Sequence, residues 1–159
     1  MMSEIQTCGY EGLSVGEFVE RLVAAGTETV IDVRANPLSR KPGLSKNALA
    51  KNLKAAGIAY VHAPKMGCPK SVRERYKIDR NWATYTSGFL AYLSRQDEAV
   101  AEVAAIATRS KSCLVCFEAD FNFCHRTFVA RAAARLAAMK VIHLTAQKAI
   151  SDQNILSAA

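Results

Sequence analysis

The residues best suited to chemistry cluster late in the sequence. Cys116 and Glu118 end an apolar run, and Cys124, His125 and Arg126 follow after a short loop. They begin a predicted helix, whose N-terminus carries partial positive charge, lowers the pKa of a thiol and binds anions. Cys116 or Cys124 is therefore a candidate nucleophile. Glu118 is a candidate general acid or base, and Arg126 a candidate ligand of phosphate or carboxylate. The alternative is that both cysteines are small packing residues, a common role of free thiols.

Four residues of this segment are of types that ligate zinc, namely Cys113, Cys116, Cys124 and His125. Cys113 and Cys116 lie an odd number of residues apart in one predicted strand, so their side chains point to opposite faces. The four groups therefore do not converge, and we expect no metal. Cys113 is expected to be a core residue. A thioredoxin-like redox pair is also disfavoured, because the two cysteines lie within a strand and not at the start of a helix.

A second charged group follows a β-branched run. Asp32 and Arg34 stand at its end, and Arg40 lies on the loop beyond. We expect Arg34 and Arg40, together with Arg126, to bind an anionic substrate. Asp32 would pair with one of these arginines and hold it in place. A structural ion pair at the edge of a sheet is the alternative.

Other candidate residues follow predicted strands or begin a helix. His62 ends a strand and is a candidate catalytic acid or base, or a substrate ligand. Tyr10 follows the first strand and is a candidate binding residue. His125 would either contact the substrate or hold the backbone in place. His143 is interpreted as a core histidine.

The positive charge of the chain is concentrated in one quarter of it. The formal net charge is +7, and nine basic residues but no acidic one fall within residues 33–73. A block of one sign attracts anions such as phosphate, a nucleotide or nucleic acid. The alternative is a solvated face that maintains solubility.

Basic and aromatic residues alternate from Arg73 to Tyr92, a pattern that suits a nucleic-acid strand or a stacked base. The alternative, a helix whose aromatic face packs on the core, is favoured here. Trp82, Tyr85 and Phe89 recur with Tyr92 at helical spacing, which is typical of a face packed on a core.

The elements that must position these residues alternate between strand and helix. A capping box at Ser14 and Glu17 predicts where the first helix begins. Residues 64–79 contain Gly67, Pro69 and many charges, and they are predicted to form a long loop with at most a short helix. The tail is predicted to be short helix or coil. The predicted strands are 5–8, 29–33, 58–61, 112–117 and 141–144, and the predicted helices are 14–26, 45–56, 81–94, 97–109 and 124–139.

This alternation favours an α/β fold, a single three-layer α/β/α domain over residues 1–159. Its sheet would be mainly parallel, with about five strands, and Rossmann-like in the broad sense. Ligands of such sheets bind outside the carboxyl ends of the strands, so the candidate residues would share one edge.

The composition favours a cytoplasmic protein with reduced thiols. No segment approaches the about 20 apolar residues of a membrane span. The first residues lack the basic and then apolar pattern of a secretion signal, and the five cysteines are an odd number.

Several motifs together resemble a known family. They are Thr7-Cys8-Gly9-Tyr10-Glu11-Gly12, the run from Asp32 to Arg40, the run from Gly57 to His62, and Cys116-Phe117-Glu118 with Cys124-His125-Arg126. Over residues 7–145 the chain resembles the bacterial and archaeal family called domain of unknown function 488. The resemblance implies an α/β fold and points to the same residues, but it implies no particular reaction.

The sequence thus favours an enzyme that acts on an anionic small molecule, phosphorylated or related to a nucleotide or nucleobase, without a cofactor. The alternatives are a non-catalytic nucleic-acid-binding module that uses residues 33–73, and a domain that senses a nucleotide without chemistry.

Overall fold

The fold is built on a six-stranded sheet, seen in a computed structural model that describes residues 3–152. The strand order is β3-β2-β4-β1-β5-β6. The first five strands of the chain are parallel to one another, as predicted, and β6 adds an antiparallel edge beside β5, within the tail. The strands are β1 (Glu4–Gly9), β2 (Thr29–Asp32), β3 (Ala59–His62), β4 (Ser112–Cys116), β5 (Lys140–Leu144) and β6 (Ala149–Ser151).

Six α-helices cover the two faces of the sheet, which confirms the three-layer α/β architecture among residues 3–152. Helices α1 and α2 pack on one face and the other four on the opposite face. Two short 3₁₀ turns, Pro64–Met66 and Phe121–Phe123, lie in the connections. The helices are α1 (Val15–Ala24), α2 (Lys46–Ala55), α3 (Lys70–Asp79), α4 (Trp82–Leu93), α5 (Asp97–Arg109) and α6 (His125–Ala137).

The start of α1 and the directions of the side chains in β4 agree with the predictions from the sequence. Ser14 and Glu17 form the predicted capping box, each side chain accepting a hydrogen bond from the other residue's backbone N–H. In β4, Cys113 lies in the core beside α1 and α2, whereas Cys116 lies in the core on the opposite face. The two thiols therefore point apart, as the alternation of a strand requires.

Helix α3 corrects the prediction of a long loop at residues 64–79. None of its residues is buried, and Ile78 is 86% exposed, so the helix lacks the apolar stripe that reveals a helix in a sequence. Val72 and Tyr76 are partly buried and pack against the core beneath α4. Helix α3, which is largely charged, therefore contacts the core through one face only, near the carboxyl ends of the strands.

The sheet reverses its winding between β1 and β4. These strands are neighbours, yet β1 leads to α1 on one face while β4 leads to α6 on the other. Connections that leave towards opposite faces of the sheet leave a crevice at the carboxyl ends of the two strands, where ligands of open α/β sheets bind. No helix within residues 3–152 is both long enough and apolar enough to span a bilayer.

A buried histidine ties the end of the described chain to the sheet. His143 lies in β5, fully buried as the sequence predicted, with its Nδ1 2.6 Å from Thr7 Oγ1. Its Nε2 lies 2.8 Å from Asp152 Oδ2, and Arg131 donates from Nε to the same carboxylate at 3.0 Å. The network joins β1, β5, α6 and the segment after β6.

The stability that this histidine contributes to the fold is expected to fall in mild acid. Burial lowers the pKa of His143; Asp152 opposes this shift, and Arg126 and Arg131 add to it. Below about pH 6.5 the unfolded chain takes up a proton that the folded ring resists. The contribution of His143 to the free energy of unfolding should therefore fall with decreasing pH, by at most about 1.4 kcal/mol per pH unit.

Urea denaturation of the wild type and of His143→Gln between about pH 5 and 7 measures this contribution. With decreasing pH, the free energy of unfolding of His143→Gln should fall less, relative to the wild type, whatever its absolute value. Thr145→Ala, which removes a hydroxyl from an exposed hydrogen bond and no ionisable group, serves as the control and should keep the slope of the wild type. Equal slopes in His143→Gln and the wild type would contradict the expectation.

Candidate active site

A cavity of about 570 Å³ opens at the carboxyl edge of the sheet, where β1, β2 and β4 end. Cys116, Glu118 and His125 line it on the side of β4 and α6. Tyr10 and Arg34 line it from the ends of β1 and β2. The structure thus brings together six of the predicted site residues, these five and Cys124, which lies directly behind Cys116.

The backbone at the end of β1 is fastened to the loop after β4. Tyr10 donates its N–H to the carbonyl of Cys116 at 3.2 Å, and Glu11 donates to that of Phe117 at 2.8 Å. Gly9 makes this approach feasible, because a Cβ at that position would lie 1.8 Å from the carbonyl oxygen of Glu118. The motif at residues 7–12 and the motif at residues 116–118 are therefore in direct backbone contact.

The two thiols and an imidazole form a compact buried cluster. The sulfurs of Cys116 and Cys124 each lie 3.9 Å from His125 Nδ1. The other ring nitrogen, His125 Nε2, lies 2.8 Å from the carbonyl oxygen of Val33. A carbonyl only accepts, so Nε2 carries a hydrogen and Nδ1 faces the sulfurs.

The surroundings of Cys124 favour its thiolate. Burial alone would raise the pKa of this thiol, but hydrogen bonding from Cys116, the charge of Arg126 and the contact with His125 hold the pKa well below its usual range. The hydrogen bond to Cys124 and burial hold the pKa of Cys116 well above its usual range. The two pKa values shift in opposite directions, so Cys124 loses its proton before Cys116 does.

Glu118 is poised to exchange a proton near neutral pH. Its carboxylate Oε2 lies 3.8 Å from the sulfur of Cys116. Burial and the neighbouring Cys124 raise the pKa of Glu118 to about 7. A carboxyl group with such a pKa can donate or accept a proton during a reaction.

Arg126 lies behind the cavity and does not line it. Its side chain is 1% exposed, and Nη1 donates to the carbonyl oxygen of Glu118 at 2.6 Å. Its Nε has no hydrogen-bond partner among residues 3–152, and no carboxylate there forms an ion pair with it. The guanidinium thus holds the loop and supplies positive charge to the thiols, a different placement from the expected substrate clamp.

Arg34 reaches the cavity but is already held by protein groups. Its Nε and Nη2 form a fork on the carboxylate of Asp32 at 2.9 and 2.7 Å, and Nη1 donates to the carbonyl of Leu44 at 2.7 Å. Tyr60 donates its hydroxyl to Asp32 at 2.6 Å. Asp32 therefore pairs with Arg34, and most of the donors of this arginine are taken by the protein.

Two predicted site residues lie apart from the thiol cluster. Arg40 is exposed and does not line the cavity. His62 lines a separate cavity of about 240 Å³ beside Met66, and its Nε2 lies 2.9 Å from the carbonyl oxygen of Arg34. His62 therefore contacts the backbone of the site and does not face the thiols.

The sequence indicated the cations from Arg73 onward only as a pattern that suits nucleic acid and did not assign them to this site, although α3 and its C-cap form part of the wall. Arg73, Lys77 and Arg80 line the cavity, together with the aromatic ring of Tyr76. Arg80 places its guanidinium 5.8 Å from the centre of that ring, and Arg73 Nε donates to the carbonyl of Cys68 at 3.0 Å. The spacing of Arg73 and Lys77 by four residues was the available signal, since it puts them on one face of a helix, whereas Arg80 is the left-handed residue that caps α3.

The fold and the site define an α/β protein with a thiol-bearing pocket at the switch point of its sheet. The family model described as Domain of unknown function DUF488 matches residues 14–133, and the chain belongs to that family. The match spans the segments that carry Arg34, α3, Cys116 and Cys124, and it confirms the family resemblance of the sequence. No curated protein and no solved structure matches the chain.

Proposed function

We propose that this protein is a thiol-dependent enzyme that acts on an anionic small molecule, phosphorylated or related to a nucleotide. The observation that carries the proposal is the placement of the Cys116 thiol, Glu118 and His125 inside one pocket whose wall is cationic. A nucleophile, a group that exchanges protons and a fixed imidazole are the parts that nucleophilic catalysis requires.

The charge of the pocket favours an anion. Arg34, Arg73, Lys77 and Arg80 line it, and Glu118 is its one acidic lining residue. Among residues 3–152, Arg73, Lys77 and Arg80 have no carboxylate within ion-pair distance. Cations in a concave site raise the local concentration of anions. The volume also lies within the range of small-molecule sites.

Aromatic rings favour a substrate with a flat group. Tyr10, Tyr76, Tyr85 and Phe117 line the cavity, and Phe117 is 42% exposed. Exposed aromatic rings beside cations bind a base by stacking while the cations hold a phosphate. This combination favours a substrate related to a nucleotide over other phosphorylated small molecules.

Cys116 is assigned as the nucleophile because its sulfur lines the cavity, whereas Cys124 lies behind it. In the proposed step, the Cys116 thiol passes its proton to His125 Nδ1, and its sulfur bonds to the electrophilic atom of the substrate. The bond to the leaving group breaks, and the leaving group takes a proton from Glu118. Water then cleaves the bond between sulfur and substrate, one proton returning to Glu118 and the imidazolium returning its proton to sulfur.

Alkylation rates of the reduced, metal-free protein test the nucleophile and the charge of the pocket together. Neutral iodoacetamide normally outpaces anionic iodoacetate at a free thiol, because the thiolate repels the carboxylate. At Cys116 we expect the ratio of iodoacetate to iodoacetamide rates to rise at least about tenfold over the unfolded protein, because the pocket attracts anions. Peptide mass spectrometry assigns each rate to its cysteine.

Arg73→Gln combined with Lys77→Gln should return the ratio towards that of the unfolded chain. Lys46→Gln with Lys51→Gln removes the same charge from exposed positions outside the cavity and should leave the ratio unchanged. Added nucleoside monophosphate should slow alkylation of Cys116. A Cys116 thiol that stays inert until the protein unfolds, or whose ratio of iodoacetate to iodoacetamide rates equals that of the unfolded protein, would refute the proposal.

A further inference from the structure

We propose that Cys116, Cys124 and His125 form a binding site for Zn²⁺. The two sulfurs and the ring nitrogen all lie within 4.8 Å of one another. This is the one group of three or more potential ligands found within residues 3–152. It differs from the set considered from the sequence, because Cys113 faces the opposite side of β4 and takes no part.

The spacing of the three atoms fits one small ion. Zinc bonds to thiolate sulfur and imidazole nitrogen at about 2.3 and 2.0 Å, so neighbouring sulfur and nitrogen ligands of a tetrahedral site lie about 3.5 Å apart. Cys116 Sγ and Cys124 Sγ are each 3.9 Å from His125 Nδ1. A closure of a few tenths of an ångström, within reach of side-chain rotation, would bring each sulfur to the ligand spacing from Nδ1, and the two sulfurs lie within 4.8 Å of each other.

The hydrogen bond of the imidazole fixes the ligating nitrogen in advance. His125 Nε2 donates to the carbonyl oxygen of Val33 at 2.8 Å, so the lone pair of the neutral ring lies on Nδ1, towards the sulfurs. Histidines that ligate metals characteristically donate their other N–H to a carbonyl or a carboxylate in this way. Rotation of this ring away from the thiols would cost that hydrogen bond.

The elements that carry the ligands add rigidity. Cys116 ends the buried central strand β4, and Cys124 and His125 begin α6. Glu118 stands 3.8 Å from the sulfur of Cys116 and lines the cavity, so its carboxylate can complete four-coordination from the open side. Two soft sulfurs and an imidazole favour zinc over magnesium or calcium, which prefer oxygen ligands.

Binding replaces any thiol protons of Cys116 and Cys124 with zinc–sulfur bonds and releases those protons to solvent, with no change of oxidation state. Zinc also occupies the nucleophile of the proposed enzyme, and on that proposed function it holds the enzyme inactive. The site itself depends only on the three ligands.

Cobalt substitution of the reduced, chelator-treated protein tests the site. One equivalent of Co²⁺ should produce a sulfur-to-cobalt charge-transfer band and the intense visible bands of tetrahedral cobalt, and one equivalent of Zn²⁺ should remove both. Zinc should also block alkylation of Cys116 and Cys124, and a chelator should restore it. The absence of cobalt bands in the folded protein would overturn the proposal.

Serine variants identify the ligands. Cys116→Ser and Cys124→Ser should each weaken the charge-transfer band and lower zinc affinity at least about tenfold. Cys113→Ser, in the same strand but on the other face, and Cys68→Ser, which lines the same cavity, should bind one cobalt as the wild type does. Full bands in both Cys116→Ser and Cys124→Ser would refute the assignment. If the wild type shows no cobalt bands but keeps the raised ratio of iodoacetate to iodoacetamide rates at Cys116, the metal site alone is refuted. If the cobalt bands appear but that ratio is not raised, the enzyme alone is refuted.

Discussion

Replacing Asp32 by alanine is expected to lower the free energy of unfolding by about 3–5 kcal/mol. Asp32 is fully buried and Arg34 is 5% exposed, and the two form a fork of two hydrogen bonds. The variant leaves the guanidinium buried without its counter-charge and removes the acceptor of the Tyr60 hydroxyl. Loss of one partner of a buried pair costs far more than loss of an exposed pair.

Urea denaturation followed by circular dichroism measures the loss. Tyr60→Phe removes only the 2.6 Å hydrogen bond to Asp32 and should cost about 1 kcal/mol, which keeps the expectation measurable if the alanine variant does not fold. Glu74→Ala is the control, because it breaks an exposed pair with Lys70 and should change stability by less than about 0.5 kcal/mol. A loss below about 1 kcal/mol in Asp32→Ala would show that Arg34 finds other partners.

Replacing Gly9 by alanine is expected to cost about 3 kcal/mol or more, and to disrupt the site as well. The new methyl group would lie 1.8 Å from the carbonyl oxygen of Glu118, which is backbone and cannot rotate away. The loop after β4 must then move. That loop carries Glu118 and accepts the 2.6 Å hydrogen bond from Arg126, so the reactivity of Cys116 should change together with stability.

Gly16→Ala is the matched control for this substitution. Gly16 lies in α1, where a Cβ would meet only Ser14 Oγ at 3.9 Å. Alanine is the better helix former, so this variant should be as stable as the wild type or more stable by up to about 1 kcal/mol. Thermal unfolding of the two variants should therefore show shifts of opposite sign, and a Gly9→Ala protein as stable as the wild type would contradict the expected clash.

The architecture was predictable wherever apolar residues followed a clear period. The capping box at Ser14 and the alternation of Cys113 and Cys116 in β4 both appear in the structure as the sequence predicts. Helix α3 escaped prediction because its charges surround it and only Val72 and Tyr76 contact the core. The three-residue strand β6 carries too short a pattern to be recognised.

The candidate site was predictable as a set of residue types at strand ends, but not as a set of contacts. The sequence places Arg34 beside Asp32, yet it contains no sign that the carbonyl of Leu44 takes a further donor. It places Cys116 and Cys124 in one segment, but the direction of His125 depends on a carbonyl ninety-two residues away, at Val33. Contacts of this range follow from the strand order, which no local pattern encodes.

That strand order also bears on how the protein acquires its shape during synthesis. Strands β1 and β2 are not neighbours, because β4 lies between them and hydrogen-bonds to both. Until residues 112–116 have emerged from the ribosome, the growing chain holds a β2–β3 pair and a lone β1, each with an edge that has no partner. The central strand that ends at Cys116 can therefore join the two parts of the sheet only after most of the chain has been made, and the thiol pocket also requires the residues up to His125 that follow it.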